Sequence, residues 1–389
     1  MKMNQVAGFT NSVVQEVLGE TAVVQEDLSN IVDIGNKIFD ANAFDAYVKT
    51  LINHIGKVIF VNRPYDGSAP SVMMDGWEYG SILEKISSEM PVAVENPSWD
   101  LTDGQTYDPN VYTQPKASAK FFNKRTTFEI DRSITERQVK QSFSSATQLN
   151  GFISMLHNET QKAITVRMDS LIMRTINNMI LETVKYDYSD TSALTASSGV
   201  KAVNLLYQYN QRFSASLTAD QAITTPEFIR YAAFQIGLYS DRMTRMSTLF
   251  NAGGVARFTP HEFQHTIYLS EFIRAADVYL QSDTYHELYT KMKAGESVPY
   301  WQGSGTDYNF ASTSKIQAIP SSSETDQEAI TVSGVLAVIF DRDALGVTNL
   351  DRRVNTQYNP KGEFTNYFYK HDAGYFNDLN ENFVVFFVA

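Results

Sequence analysis

The segment SSATQLNGFISMLHNETQKAITVRMDSLIMRTINNMILETVKY, residues 144–186, decides the reading of this chain. Leu149, Phe152, Ile153, Leu156, Ile164, Leu171, Ile172, Ile176, Met179, Ile180 and Val184 recur mostly at spacings of three and four, the period of one helical face. The segment holds no proline, and its one glycine, Gly151, falls near the start. It predicts a single helix of about 40 residues, roughly 60 Å long at 1.5 Å per residue. Globular helices usually run three or four turns, so this one is a structural beam. Its apolar positions keep no sustained heptad and its flanks are not rich in Glu and Lys, which argues against a coiled coil.

The chain before the beam has a different character. Val13, Val14 and Val17 sit on one helical face that Gly19 interrupts, and a better helix is expected from about Asp40 to Ile55, closed by Gly56. Residues 1–50 carry three Lys against seven Asp or Glu. A solvated, flexible start is expected there, with an arm ordered against a neighbouring subunit as the alternative. Residues 57–63 read as a short strand. From Pro64 to Thr113 the chain has five prolines and turn signals at Tyr65-Asp66-Gly67, Asp103-Gly104 and Asp108-Pro109, with almost no helical period. Its charges are nine acids against one Lys, whereas residues 114–140 hold seven basic and three acidic groups. Such a stretch is a poor source of core and is expected to extend onto another molecule.

Beyond the beam, Thr225-Pro226-Glu227 has the chemistry of a helix start, and Thr259-Pro260-His261-Glu262 predicts a second helix running towards Tyr279. Asn251-Ala252-Gly253-Gly254, Gly303-Ser304-Gly305 and Ser321–Ser323 mark loops. From Ile330 the sequence turns to strands. Val335–Phe340 is an apolar run of strand length, Asn359-Pro360-Lys361-Gly362 has hairpin chemistry, and the apolar end Phe383–Ala389 is expected to be a buried strand.

Composition removes several classes of function. The chain has 389 residues, no cysteine and a net charge of −12. Disulfides, thiolate metal sites and cysteine nucleophiles are excluded, and the acidic balance argues against a general nucleic-acid binder. The longest apolar stretch, seven residues at the C-terminus, is far short of a spanning helix, so no membrane association is expected. His261-Glu262-Phe263-Gln264-His265 fits H-E-x-x-H, in which two imidazoles one helical turn apart bind zinc and the Glu acts as base. Its position at the very start of the expected helix argues against a metal site, and nothing distinguishes Glu271 or Glu287, the nominated third ligands, from surface acids. Asp341-Arg342-Asp343-Ala344-Leu345-Gly346 resembles a calcium loop, but Leu345 and Arg352 stand where oxygen ligands are needed, so it reads as a turn. His157 lies inside the beam. Lys124-Arg125 beside Phe121 and Phe122 is read as part of the basic limb rather than a nucleic-acid patch. No phosphate loop, dinucleotide fingerprint or nucleophile elbow occurs.

The order of elements resembles the major capsid protein of tailed bacteriophages, the Hong Kong 97-type fold. The tail carries part of the likeness, in Val338-Ile339-Phe340-Asp341-Arg342-Asp343-Ala344-Leu345-Gly346, Asn359-Pro360, Phe364-Thr365-Asn366-Tyr367 and Asn382-Phe383-Val384-Val385. The resemblance implies an α+β fold divided into an N-terminal arm and helix (1–56), an extended loop with peripheral-domain strands (57–143), a spine helix (144–186), an axial domain (187–329) and returning strands of both domains (330–389). It implies self-assembly of pentamers and hexamers into an icosahedral shell around DNA, without sequence-specific binding, catalysis or cofactor. A separate scaffolding protein and a portal are the implied partners, with assembly in the host cytoplasm and residence in the virion. The alternatives are a zinc metallopeptidase built on His261, Glu262 and His265, and a soluble adhesin or other surface-layer protein.

Overall fold

In the computed structural model of the chain, the described residues are 3–19, 23–25, 29–40, 43, 46–51, 69–74, 83–88, 91, 93–114, 117–188, 191–281, 292–302, 310–319 and 329–389. The expected beam is one uninterrupted helix, Ala146–Asp187. Ser145 caps it, its hydroxyl accepting the backbone N–H of Gln148 at 3.2 Å. Three threonines within it are buried, at positions 160, 175 and 183. Each donates its hydroxyl to the carbonyl four residues back, at 2.8–3.0 Å, so none of the three hydroxyls is stranded.

Two sheets flank this helix. The first has four strands in the order β1 (Met73–Met74), β11 (Leu345–Asn359), β12 (Phe364–Asn377) and β4 (Arg125–Thr135), all antiparallel except the β1–β11 pair. Burial alternates along β12 from Phe364 to Lys370, so one face meets core while the other stays half exposed. The turn at 360–363 joining β11 and β12 is held by the Asn359 side chain, which accepts the backbone N–H groups of Lys361 and Gly362. Glu363 completes that turn with φ +51°. The second sheet runs β5 (Ala202–Asn204), β13 (Phe383–Phe387), β10 (Val335–Asp341), β6 (Gln264–Leu269) and β7 (Glu296–Val298). Strands β10 and β13 are buried at every residue, as continuous apolar runs at a sheet centre should be. The C-terminal segment is therefore the interior strand its composition predicts.

The long helix ties the sheets together. Arg132 on β4 pairs with Glu159 at 2.9 Å, and Asn377 at the end of β12 donates to the Thr175 carbonyl at 3.2 Å. At its far end Asp187 accepts the backbone N–H groups of Lys201 and Ala202, the latter the first residue of β5. Two smaller ladders complete the strands: the hairpin β2 (Leu83–Ser88) with β3 (Ala117–Phe122), and β8 (Ile316–Ala318) with β9 (Ile330–Val332).

Several expectations need correction. The start of the chain is not a solvated arm. Helix Met3–Leu18 buries Val13 and Val14 completely, and Gly19 ends it at φ +92°, where a glycine is least strained. A second helix, Ile31–Asp40, went unread because its apolar positions Ile31, Ile34 and Ile38 fill barely three turns. Of the helix expected over 40–55, the described helical part is 46–51, with Tyr47, Val48 and Leu51 buried. The strand expected at 57–63 and the loops at 303–305 and 321–323 lie outside the described residues. The basic limb is partly regular structure of the main fold: Arg125–Thr135 is the edge strand β4, and Thr135 with Gln138 forms a reciprocal cap opening helix Glu136–Ser142. Helix Pro226–Met243 starts where expected, although Thr225 turns its hydroxyl back to the Gln221 carbonyl instead of capping.

The helix expected from Thr259-Pro260 is the largest error. His261–Phe263 is a single 3-10 turn, Gln264–Leu269 is strand β6, and the helix begins only at Ser270. Strand β10 leaves a row of backbone donors and acceptors needing a partner, and the β-prone run Thr266-Ile267-Tyr268-Leu269 supplies it. Thr259 donates its hydroxyl to Asp341 Oδ2 at 2.8 Å, which removes it as a cap.

Candidate assembly interface

Hairpin β2–β3 is too small to be stable alone, so its attachment decides what it can do. Lys85 and Lys120 stand directly opposite each other across it, a like-charge pair that would repel. Asp378, in the turn between β12 and β13, takes one lysine on each oxygen: Lys120 on Oδ1 at 3.1 Å and Lys85 on Oδ2 at 3.0 Å. Lys85 also reaches Glu381 Oε1 at 2.7 Å and the Asp343 carbonyl at 3.1 Å. Arg257 adds a contact to Glu381 at 3.4 Å, and Gly253 donates its N–H to the Leu379 carbonyl at 2.7 Å. The Gly253 Cα also lies so close to Asn380 that a side chain there would collide with it. One acidic turn thus clamps the hairpin root and the 251–257 loop to the closing strands.

The charges respond to this burial in opposite ways. Burial alone would lower Lys85, but hydrogen bonds and attraction from Glu381 and Asp378 outweigh it and hold the ammonium above its ordinary value. Burial pushes Asp378 upward, and Lys85, the Asn380 N–H and Lys120 together bring it below the usual carboxylate value. For Glu381 burial prevails over Lys85 and Arg257, so its carboxyl sits above its ordinary value.

Beyond the clamp the hairpin tip has no core of its own. Every residue of 101–114 is exposed, and so are most of the described residues at 91–100. Val94 is 83% exposed, Trp99 99% and Tyr112 81%, with Leu101 and Val111 also open. Scattered exposed apolar residues are ordinary, but here several fall in one short segment. Local order exists there: Asn96 accepts the Ser98 N–H at 3.0 Å, opening the 3-10 turn Pro97–Trp99.

The H-E-x-x-H residues are not brought together. His261, on the 3-10 turn, has Nδ1 3.3 Å from Ser240 Oγ and Nε2 3.4 Å from Asp241. His265, on β6, packs its ring 5.7 Å from Phe340. Because the segment is a turn and a strand, the helical face that would aim both imidazoles at one ion does not exist. Glu271 lies one helix onward, bonded to the Thr313 hydroxyl at 3.0 Å, and Glu287 is outside the described residues. Among the described residues no group of three or more His, Asp or Glu is arranged to hold a metal. Gln264 of the motif instead serves a buried network: it accepts from Ser240 at 2.6 Å and from Lys293, and donates to the carbonyls of Ser240 and Thr259. His157 lies in the long helix, and Asp341–Leu345 is the turn between β10 and β11, with Asp341 Oδ1 accepting the Asp343 N–H.

Chain-length separation hid the clamp from sequence reasoning. Lys85 and Asp378 are 293 residues apart, and the only local hint is an acidic, Asn-rich turn at 378–382 before an apolar strand.

A family model described as Phi29-like phage major capsid protein matches residues 10–387. The chain belongs to the Phi29-like phage major capsid protein family. Solved structures similar to this capsid protein come from phages as well. They include the capsid of Staphylococcus phage Andhra, at 11% identity and TM-score 0.47, covering 83% of this chain and 84% of that one. A chain from the structure of the head fiber and inner core protein gp22 of bacteriophage P68 gives 9% identity and TM-score 0.49, covering 82% and 83%. One from Microbacterium phage Oxtober96 gives 9% and 0.45, covering 85% and 93%. No curated protein matches the chain. The capsid protein is thus a shell-forming structural component of the virion, with an α+β architecture of N-terminal helices, the β2–β3 hairpin, a long helix and two main sheets. Among the described residues, no helix is long and apolar enough to cross a membrane.

Proposed function

We propose that this capsid protein closes into an icosahedral shell of five- and six-membered rings, and that the β2–β3 hairpin is its reach onto a neighbouring subunit. The observation that carries this is the contrast within residues 83–122: a root clamped by Asp378 and Glu381, and a tip whose Val94, Trp99, Leu101, Val111 and Tyr112 are all exposed. The four-stranded sheet with the long helix is the peripheral domain, and the five-stranded sheet with the helices around it is the axial domain. Each contact between copies needs little affinity, because every subunit makes several at once and weak contacts allow misplaced subunits to leave. The net charge of −12 keeps the shell from adhering to the DNA phosphates it encloses, so packaging needs no sequence-specific contact. A separate scaffolding protein and a portal are the partners of this assembly, which takes place in the host cytoplasm. The protein's role is structural, without catalysis.

Limited proteolysis tests the reading. Cleavage within 93–114 is expected to be fast in free subunits and strongly slowed in closed shells verified by electron microscopy. Equal rates in both states would overturn it.

A further inference from the structure

At the hairpin root lies a cavity of about 240 Å³, lined by the aromatic Phe121, Phe122, Tyr375 and Phe376 together with Lys124 and the asparagines Asn123, Asn178 and Asn377. It is smaller than the roughly 300–1,000 Å³ of typical small-molecule sites and is of a size to take one large side chain. Its walls are firm: the Phe122 and Phe376 rings sit 5.2 Å apart, and the Arg174 guanidinium lies 4.9 Å from the centre of the Tyr375 ring. Phe121, by contrast, is largely open to solvent.

The same chain carries an aromatic side chain with the opposite problem. Trp99 is 99% exposed on a preformed 3-10 turn, and tryptophan is the residue most enriched among side chains that dominate protein interfaces. Its surroundings also match the cavity in charge. The described tip carries Glu95, Asp100, Asp103 and Asp108 and no Lys or Arg, while Lys124 and Arg125 are exposed beside the cavity. Trp99 does not fill its own chain's cavity. Phe122 pairs with Leu83 at the root and Ala117 with Ser88 at the far end, so the hairpin's extended strands separate root from tip by roughly 17 Å at 3.3–3.4 Å per residue.

We propose that Trp99 of one subunit inserts into the Phe121–Phe122–Tyr375–Phe376 cavity of the next copy, with Asp100 beside Lys124 and Arg125. This rests on the reading of the hairpin as a reach onto a neighbour and adds where it lands. Each copy offers one tip and one cavity on different surfaces, so the contact is head-to-tail, the kind that closes rings when the rotation between copies allows. The amides of Asn123 and Asn178 supply acceptors for the indole N–H.

The absence of cysteine makes the test direct. Ser98→Cys with Asn123→Cys is expected to give disulfide-linked ladders in assembled heads under mild oxidation, and none in free subunits, since a disulfide needs Cα atoms within about 7 Å. Asp108→Cys with Asn123→Cys, farther along the same tip, is expected to give none. Unmodified protein supplies a second readout: the part of the tryptophan emission lost in Trp99→Phe should shift to the blue and escape acrylamide quenching on assembly. Protease protection of 93–114 in shells, but with no ladder from Ser98→Cys with Asn123→Cys and with Trp99 still quenched, would overturn the cavity while leaving the hairpin reading intact. A tip as readily cleaved in shells as in free subunits would overturn both.

Discussion

Replacing Lys85 with Met removes the central cation of the clamp while keeping the length and apolar stem of the side chain. In the intact protein the Lys85 side chain is 24% exposed, against 2% for Asp378. A hydrogen bond to a charged group contributes about 1.5–3 kcal/mol, and stranding one member of a buried pair costs about 3–5 kcal/mol. Neither acid is left alone, because Lys120 still holds Asp378 and Arg257 still holds Glu381. The expected loss is therefore about 2–3 kcal/mol, below the full buried-pair figure. It falls on the hairpin root rather than on the whole fold, so it raises the opening equilibrium of β2–β3 by about 30- to 150-fold at 1.4 kcal/mol per tenfold. Hydrogen exchange of the cross-strand amides at 83–88 and 117–122 reads that change directly. Lys120→Met, which loses one contact from a 40% exposed side chain, should cost less, about 1 kcal/mol or below. The pH profile of the same exchange carries a sign for each group. Lys85 is raised, so its contribution is complete below its ordinary 10.5 and is lost as pH climbs through the higher folded value. Asp378 is lowered, so its contribution is complete above 3.8 and is lost as pH falls through the lower folded value. Glu381 is raised and acts the other way: acidification from its folded value towards 4.5 strengthens the folded state. Unchanged protection in Lys85→Met, or a larger loss in Lys120→Met, would show that the hairpin is held by something other than this clamp.

Ile172→Pro, at a buried position near the middle of the long helix, removes one backbone hydrogen bond and drives the ring into the preceding turn, for about 3 kcal/mol or more. Soluble protein with undiminished helical circular dichroism would contradict a continuous beam at that point. Lys293 is pushed down to about 8 by burial, against the pull of Asp241, so its proton destabilises the fold at neutral pH and that cost disappears as pH rises towards 10.5. Lys293→Met should therefore raise the urea midpoint at pH 7 by more than at pH 10, since Ser240 and Gln264 still bond each other; a difference that does not change with pH would refute this. His261→Ala with His265→Ala is expected to leave metal content unchanged by elemental analysis, because one ring faces Ser240 and Asp241 and the other packs on Phe340. Stoichiometric zinc lost in that double variant would restore the metal reading.

Legibility followed the range of the interactions that set each element. The beam was readable because forty residues of period 3.6 without proline leave the backbone few alternatives, and the structure extends it by only one residue past the segment, to Asp187. Strands β10 and β13 were readable because a short continuous apolar run can be satisfied only inside a sheet. The hairpin turn at Asn359 was readable because its chemistry is entirely local. Reading failed where a distant partner settled the outcome. Pro260-His261-Glu262 has local helix-start chemistry, but β10 arrives about 75 residues later with unpaired backbone groups, and pairing with it outweighs one turn of helix propensity. The same failure concealed the clamp, since nothing near Lys85 announces Asp378. Yet the charge imbalance of the excursion did carry information about it. The one Lys among nine acids between residues 64 and 113 is Lys85, and it is the residue that fastens the root. Four of those acids, Glu95, Asp100, Asp103 and Asp108, lie on the described tip, which carries no Lys or Arg to offset them, so the imbalance visible in the sequence survives as an acidic exposed segment beyond the clamped root.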